Sequence, residues 1–444
     1  MPTKTPHETP GALAQETTFI IHPEIPGQES LERDLDYVIE ETQGLARAIN
    51  LKVLGTHVVK VKRIQAGAFL GKGQRAEIAE RIQELKPAVV ILNHTLSPVQ
   101  QRNLEEDWNV KVIDRTGLIL EIFGERAQTK EGRLQVELAM LEYQRSRLVR
   151  AWTHLERQRG ATGFIGGPGE TQIEIDRRLI GERISHLKKE LETVRRTRDL
   201  GRKSRERIPL PVVALVGYTN AGKSTLFNTL TDSNVFAEDL PFATLDPTLR
   251  RMALPTGQKV ILSDTVGFIS DLPTHLIAAF RATLEQTVHA DVLVHVIDVS
   301  RPDWKAQRAD VIDILEELGI EYEREDRIVE VYNKVDMLDD EDYQDFERQV
   351  KFGENLVMVS ALKRRGLEDL QACISNVFDA KRTQASITLD AADGKALSWV
   401  YEHAEILERR DDEMRITLDV MIEPYNLDKF TARFGPSLKD LKTA

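Results

Sequence analysis

The stretch Val213-Ala214-Leu215-Val216-Gly217-Tyr218-Thr219-Asn220-Ala221-Gly222-Lys223-Ser224 ends an apolar run on Gly-x-x-x-x-Gly-Lys-Ser. That spacing cradles phosphate. Gly217 and Gly222 permit backbone angles that other residues resist. The N–H groups of Tyr218, Thr219, Asn220 and Ala221 can then point inward at phosphate oxygens. Lys223 is placed to neutralise β- and γ-phosphates, and Ser224 Oγ to ligate Mg²⁺. From Ser224 and Thr225 to Leu230 the chain reads as a helix whose positive dipole end faces the same anion. A glycine-containing turn can match such a pattern by accident, so the weight falls on the motifs downstream in the chain.

Four further elements come in order. Phe242-Ala243-Thr244-Leu245-Asp246-Pro247-Thr248 lies beyond the first helix, and a threonine here can close over Mg²⁺; Thr244 is the first choice and Thr248 the second. Lys259 to Gly267 is a strand ending in Asp264-Thr265-Val266-Gly267. Asp264 belongs near Mg²⁺ through a water, and the Gly267 N–H can reach a γ-phosphate and sense its loss. After a third buried strand, Val292 to Asp298, Ile328 to Tyr332 leads into Asn333-Lys334-Val335-Asp336. Asp336 can accept from guanine N1–H and its 2-amino group; adenine offers neither donor, and a site built to bond a donor rejects the analogue lacking it. Lys334 can pack its stem over the base, and Asn333 can tie this loop to the phosphate loop. Met358 to Lys363 completes the set, with Ser360 and Ala361 backbone groups facing the guanine O6. The candidate catalytic residues are Lys223, Thr244 and Gly267. Many nucleotide hydrolases place a water-orienting Gln directly after Asp-x-x-Gly; here that position is Phe268, which predicts slow intrinsic hydrolysis accelerated by a partner or by Arg250 and Arg251.

These residues need a doubly wound sheet to bring strand ends to one edge. The 444 residues allow about three domains. A hydrophobic share of 41% with 30% charged residues describes a globular chain. The single Cys373 excludes an intramolecular disulfide and a cysteine-rich zinc site. No run approaches the length of a membrane span, and the start carries no signal peptide. The expected location is the cytosol, with some peripheral association at membranes. Residues 1–17, rich in Pro and Thr, read as a disordered tail.

Residues 18–129 alternate strand-like runs (57–61, 88–92, 110–114) with helical ones (74–85), predicting a small α/β layer with a largely parallel sheet. Gly71-Lys72-Gly73 reads first as a plain glycine turn and second as an anion site. In 130–207, Leu134, Leu138, Leu141, Leu148, Trp152 and Leu155 form one heptad-like seam, and Ile173, Ile180, Ile184, Leu187, Leu191 and Val194 another. They predict an antiparallel helical hairpin. Its tip, 160–172, holds five glycines, Pro168 and the apolar pair Phe164-Ile165. The net charge is −12, but 145–208 carries 17 Lys and Arg against 9 Asp and Glu, which leaves −20 for the rest. Arg157, Arg159, Arg177 and Arg178 beside Gly163, Phe164, Ile165, Gly166 and Gly167 are RNA-contact candidates, with a solvated helix face as the equal alternative. Pro209 and Pro211 mark the boundary to the phosphate-loop domain, 208–380. Residues 385–444 read as a small α/β domain with one helical stretch from Asp393 to Arg409, a strand from Arg415 to Ile422 and a short helix near Leu427.

The chain resembles a TRAFAC-class GTPase, and more closely the HflX family. The carrying residues are Gly217-x-x-x-x-Gly222-Lys223-Ser224, Phe242 to Thr248, Asp264 to Phe268, Asn333-Lys334-Val335-Asp336 and the loop Gly166-Gly167-Pro168-Gly169-Glu170-Thr171-Gln172. The resemblance implies an α/β fold: an N-terminal α/β subdomain with the hairpin, a P-loop GTPase domain with a mostly parallel sheet, and a C-terminal α/β domain. It implies GTP as substrate, Mg²⁺ as cofactor, a monomer, and the large ribosomal subunit and its rRNA as partners, with stalled ribosomes split. ATP binding by the N-terminal region is a further family expectation. Two other readings stay open: a GTPase of ribosome assembly or tRNA modification, and a nucleotide-gated coiled-coil scaffold.

Overall fold

The apolar runs of the first hundred residues become one parallel sheet in the computed structural model. The structure describes residues 16–26, 33–158, 172–205, 210–232, 241–245, 248–270, 287–412, 414–422, 424–435 and 438–443. The expected tail to residue 15, Arg159 and the glycine-rich loop from Gly160 to Thr171 lie outside the described residues, as do the side chains of Arg157, Leu148, Trp152, Leu155 and Ile173. Two units are distinct: Met1–Ala253 with Lys259–Leu367, and Leu254–Gln258 with Glu368–Ala444.

In the first unit, strands β1 (Thr17–Glu24), β2 (Lys52–Lys60), β3 (Val89–Leu92) and β4 (Lys111–Asp114) pair in the order β2-β1-β3-β4, all parallel. Thr17, expected in the tail, opens β1. Helices α1 (Leu35–Ala48), α2 (Lys72–Leu85), α3 (Pro98–Trp108) and α4 (Arg115–Arg126) cover the faces. Their starts follow from capping. Ser97 and Gln100 form a capping box with Pro98 behind it, and Asp114 accepts from the Gly117 N–H at 2.8 Å. Gly71 caps α2, with Gln74 Oε1 taking its N–H at 3.1 Å, so this turn is a helix cap.

Helices α5 (Lys130–Gln158) and α6 (Gln172–Arg205) pack together through Leu134, Leu138, Ile184 and Leu187, flanked by Leu141, Ile180, Leu191 and Val194. Beyond them runs a second sheet: β5 (Val212–Gly217), β6 (Thr248–Ala253), β7 (Lys259–Asp264), β8 (Val292–Asp298), β9 (Ile328–Asn333) and β10 (Leu356–Val359), in the order β10-β9-β8-β5-β7-β6. Every pair is parallel except the β6–β7 hairpin. Strand order reverses between β5 and β8, so the loop after β5 opens at the switch point where such sheets bind ligands. Helices α7 (Lys223–Thr231), α8 (Trp304–Glu317) and α9 (Asp340–Phe352) complete the layer. One apolar core joins the two sheets: Ile20, Leu118 and Phe123 from the first meet Val216, Tyr218, Phe242 and Phe268 from the second. That continuity places the N-terminal subdomain, the hairpin and the nucleotide-binding segments in the same unit.

The second unit takes in α10 (Leu367–Ala380), which the sequence placed in the nucleotide domain. It continues β11 (Thr383–Asp390), α11 (Gly394–His403), β12 (Ala404–Asp412), β13 (Arg415–Ile422), α12 (Pro424–Phe434) and β14 (Leu438–Thr443). The sheet order β12-β13-β11-β14, antiparallel throughout, is a split β-α-β ferredoxin-like arrangement. The single helix expected from Asp393 to Arg409 is corrected: it stops at His403, and Ala404 starts an edge strand. Trp399, Val400 and Phe430 fill the core under Ile387, Leu418 and Val420. No helix among the described residues is long and apolar enough to cross a membrane.

Candidate nucleotide site

At Gly217 the backbone turns to φ +150°, and a Cβ there would stand 2.3 Å from the Val296 carbonyl oxygen of the neighbouring strand. Gly222 sits at φ +96°, where a Cβ would meet Asn333 Nδ2 at 2.3 Å. Only glycine fits either position. Between them the loop lies against the β7 end: the Thr219 N–H donates to the Phe268 carbonyl at 2.7 Å, and the Phe268 N–H to the Gly217 carbonyl at 3.1 Å.

The loop borders a cleft of about 300 Å³. Thr219, Asn220, Gly222, Lys223, Ser224 and Thr225 line its floor, and Thr244 and Gly267 face them. Lys223 Nζ donates to the carbonyls of Gly217 at 3.0 Å and Tyr218 at 2.7 Å. Burial pushes this ammonium down to about 8, against the attraction of Asp264. Ser224 Oγ and Thr244 Oγ1 stand 2.9 Å apart and both donate to Asp264 Oδ2, at 2.7 and 3.0 Å. Burial raises the Asp264 carboxyl. Its Oδ1 is buried with no partner among the described residues. Two hydroxyls and a carboxylate converging with an unsatisfied oxygen fit a hard divalent cation such as Mg²⁺. Thr248, the second choice, instead opens β6 and pairs in register with Asp264.

At the other lip, Asn333 is 1% exposed. Its Nδ2 donates to the Ala221 carbonyl at 2.8 Å and its Oδ1 accepts the Ala361 N–H at 3.1 Å. This one side chain ties three segments. Asp336 lines the cleft, with Oδ1 taking the Ser360 hydroxyl at 2.5 Å. Lys334 adopts a left-handed φ of +63° and pairs with Asp298 at 2.7 Å. Ala361, expected at the guanine O6, lines the cleft; its N–H donates to Asn333 Oδ1 at 3.1 Å, and the Ser360 N–H donates to the Arg365 carbonyl at 3.1 Å. The sequence reading missed Asp298, and also Met337 and Leu362, apolar residues on the cleft wall beside Asp336 and Ala361. Their signal was adjacency to the motif residues.

Two residues turn away from the cleft. Phe268 is 1% exposed and sits in the core with Phe242 and Tyr218. The Tyr218 side chain points at the first sheet, where its hydroxyl bonds Glu41. Arg250 and Arg251 lie exposed on β6. Arg177 and Arg178 lie exposed on α6.

A phosphate loop at the switch point, opposite an Asn-Lys-x-Asp strand end, defines a P-loop GTPase. Four family models match in sequence order: GTP-binding GTPase N-terminal over residues 36–124, GTP-binding GTPase Middle Region over 126–205, 50S ribosome-binding GTPase over 212–334, and HflX C-terminal domain over 345–443. The GTPase HflX of Magnetococcus marinus is 49% identical over 387 residues, covering 87% of this chain and 88% of the relative. That of Escherichia coli is 43% identical over 368 residues, covering 82% and 84%. The putative GTP-binding protein 6 of Xenopus laevis is 35% identical over 412 residues, covering 91% and 76%. The chain belongs to the HflX family of ribosome-associated GTPases.

Proposed function

We propose that this chain hydrolyses GTP while bound to the large ribosomal subunit, and that its GTP state splits or rescues stalled ribosomes, with hydrolysis driving release. The nucleotide half is carried by one observation: the cleft joins Lys223, Ser224, Thr244 and Asp264 at its phosphate end to Asp336 at its base end. The ribosome half is supported by family membership and by the surplus of eight positive charges over 145–208.

In this reading the Tyr218 to Thr225 backbone cradles the phosphates. Ser224, Thr244 and Asp264 would hold Mg²⁺, which would supply charge neutralisation at the phosphates. Lys223 lies beside Gly267, whose N–H meets the γ-phosphate. Asp336 reads guanine with the oxygen that Ser360 leaves unbonded, and Lys334 lines the base slot. With Phe268 buried, the side chain directly after Gly267 does not orient the attacking water, and turnover waits for the ribosome. Arg157, Arg159, Arg177, Arg178 and Gly163 to Gly167 contact rRNA. The protein acts as a monomer.

The test is dissociation of purified 70S ribosomes by the protein with a hydrolysis-resistant GTP analogue, repeated with residues 160–172 deleted. Splitting by the full chain and none by the deletion is expected. Intact ribosomes in both cases would favour an assembly or tRNA-modification GTPase. Nucleotide-dependent self-association in light scattering would favour the scaffold.

A further inference from the structure

The carboxyl edge of an open parallel sheet is where such sheets bind ligands. In the first sheet that edge is already filled. Asn93 follows β3 and Arg115 follows β4; Arg115 bonds Asn93 on one side and the chain just past Gly267 on the other. Arg115 is 5% exposed. Its Nη1 donates to Asn93 Oδ1 at 2.9 Å. Its Nη2 donates to Glu41 Oε1 at 2.7 Å and to Ser270, both carbonyl (3.1 Å) and Oγ (3.0 Å). The Ser270 N–H donates to the Tyr218 hydroxyl at 3.0 Å, and that hydroxyl donates to the other oxygen of Glu41. Ser270 lies three residues past Gly267, and Tyr218 opens the phosphate loop.

The first sheet also holds the Thr244 segment. Phe123 on α4 packs edge-on against Phe242, with centroids 4.7 Å apart. Held there, Thr244 already bonds Ser224 and Asp264. This is the gathering of oxygens that a metal bridging to a γ-phosphate requires. Gly267 stands in the same cleft; a Cβ on it would be 3.1 Å from Lys223 Nζ. Both segments that must meet a third phosphate are thus pinned at their far sides by the N-terminal sheet.

We propose that Arg115 and Glu41 are positioning residues that set discrimination between tri- and diphosphate, by holding the Gly267 segment where a γ-phosphate would meet it. The idea rests on the cleft being the guanine-nucleotide site. A GDP molecule touches the phosphate loop and Asp336 but offers nothing to Gly267, so only triphosphate binding benefits from the clasp. A ligand shifts an equilibrium only through such differential contacts.

The measurement is the dissociation constant of GDP and of a hydrolysis-resistant GTP analogue for the full chain. Arg115→Ala should weaken the analogue about tenfold, within the usual span of coupling between sites, while GDP binding changes less than about twofold. Glu41→Gln keeps the shape and removes the charge, and should shift the ratio the same way by about threefold. It carries the test if Arg115→Ala does not fold. Asp107→Asn is the control: it removes the ion pair of Arg75 on α2 with Asp107 on α3, a tie of the first layer that shares no partner with Arg115, Glu41, Tyr218 or Ser270. It should leave the ratio unchanged. An unchanged ratio in both clasp variants, equal weakening of both nucleotides, or an equal drop in the control would overturn the proposal. Wild-type protein binding neither nucleotide would instead overturn the reading of the cleft.

Discussion

Replacing Gly222 by alanine tests whether the phosphate loop and the base-reading strand are joined through a single side chain. The new methyl would stand 2.3 Å from Asn333 Nδ2, and a φ of +96° disfavours any side chain. The carboxamide must move, and it gives up both of its buried bonds, to the Ala221 carbonyl and from the Ala361 N–H. Each group orphaned in this way costs about 1–3 kcal/mol. Backbone strain adds about 1–2 kcal/mol. Gly222→Ala should therefore lose about 3 kcal/mol or more, and Asn333→Ala about 2 kcal/mol or more for the same two bonds. In the double variant no carboxamide remains to be struck, so only the strain adds to the Asn333→Ala loss. The cycle should show coupling of about 2 kcal/mol, the double being milder than the sum. Because the chain has more than one unit, denaturation does not give a clean free energy. Native-state hydrogen exchange of the β5 and β9 amides does, and 2 kcal/mol reads as about 30-fold in protection. Losses that add within about 0.5 kcal/mol would refute the reasoning, since Gly222 would then act through its own backbone angle alone.

Three further outcomes are expected. Asp336→Asn keeps the Ser360 bond but presents an amide to guanine; GTP should weaken about 100-fold while xanthosine triphosphate gains, as read by competition binding. Phe268→Gln should not supply the missing water-orienting group: the side chain lies in the core with Tyr218 and Phe242, so basal turnover stays low in a phosphate-release assay. Burying its amide costs about 2–4 kcal/mol, seen as a lower melting temperature. His295 is fully buried, with its Nδ1 2.7 Å from the Tyr322 hydroxyl, and burial pushes it down to about 4. Above its ordinary value of 6.5 both folded and unfolded chains leave it neutral. As pH falls from 6.5 to about 4 only the unfolded chain takes the proton, so stability drops by about 1.4 kcal/mol per unit and about 3 kcal/mol in all. His295→Gln should flatten that part of the melting-temperature profile.

The phosphate loop, the Asp264 strand and the Asn333 strand were legible because each is an apolar run ending in residues whose types are fixed by local chemistry. The buried strands β3, β5, β8 and β9 announce themselves in the same way. The edge strands β6 and β12 do not. On β6 only Met252 is buried and Arg250 and Arg251 face solvent; β12 is nearly all exposed and carries Glu405, Glu408, Arg409, Arg410, Asp411 and Asp412. With no face to bury, neither shows the alternation that marks a strand, and β12 was absorbed into the preceding helix. The Asn333 carboxamide was readable as a tie to the phosphate loop, but not as the acceptor of the Ala361 N–H. That bond forms only once β10 lies beside β9. Nothing in the sequence links Arg115 to Ser270, because the two meet only when the sheets pack.

Tyr218 shows why that packing matters to a motif that looks local. Its carbonyl holds Lys223 on the phosphate side, while its ring lies in the core between the sheets. Burial and the Glu41 carboxylate keep its hydroxyl protonated far above the ordinary tyrosine range, so it donates to Glu41 while accepting from the Ser270 N–H. Arg115 joins the other oxygen of Glu41 to the Ser270 carbonyl. The four residues therefore close a ring in which each is bonded on both sides. Opening any link leaves a buried charge or amide without its partner, which costs far more than the bond itself returns in water. Ser270 is accordingly held from both sides, and the glycine three residues before it is kept in the place where a third phosphate would meet it.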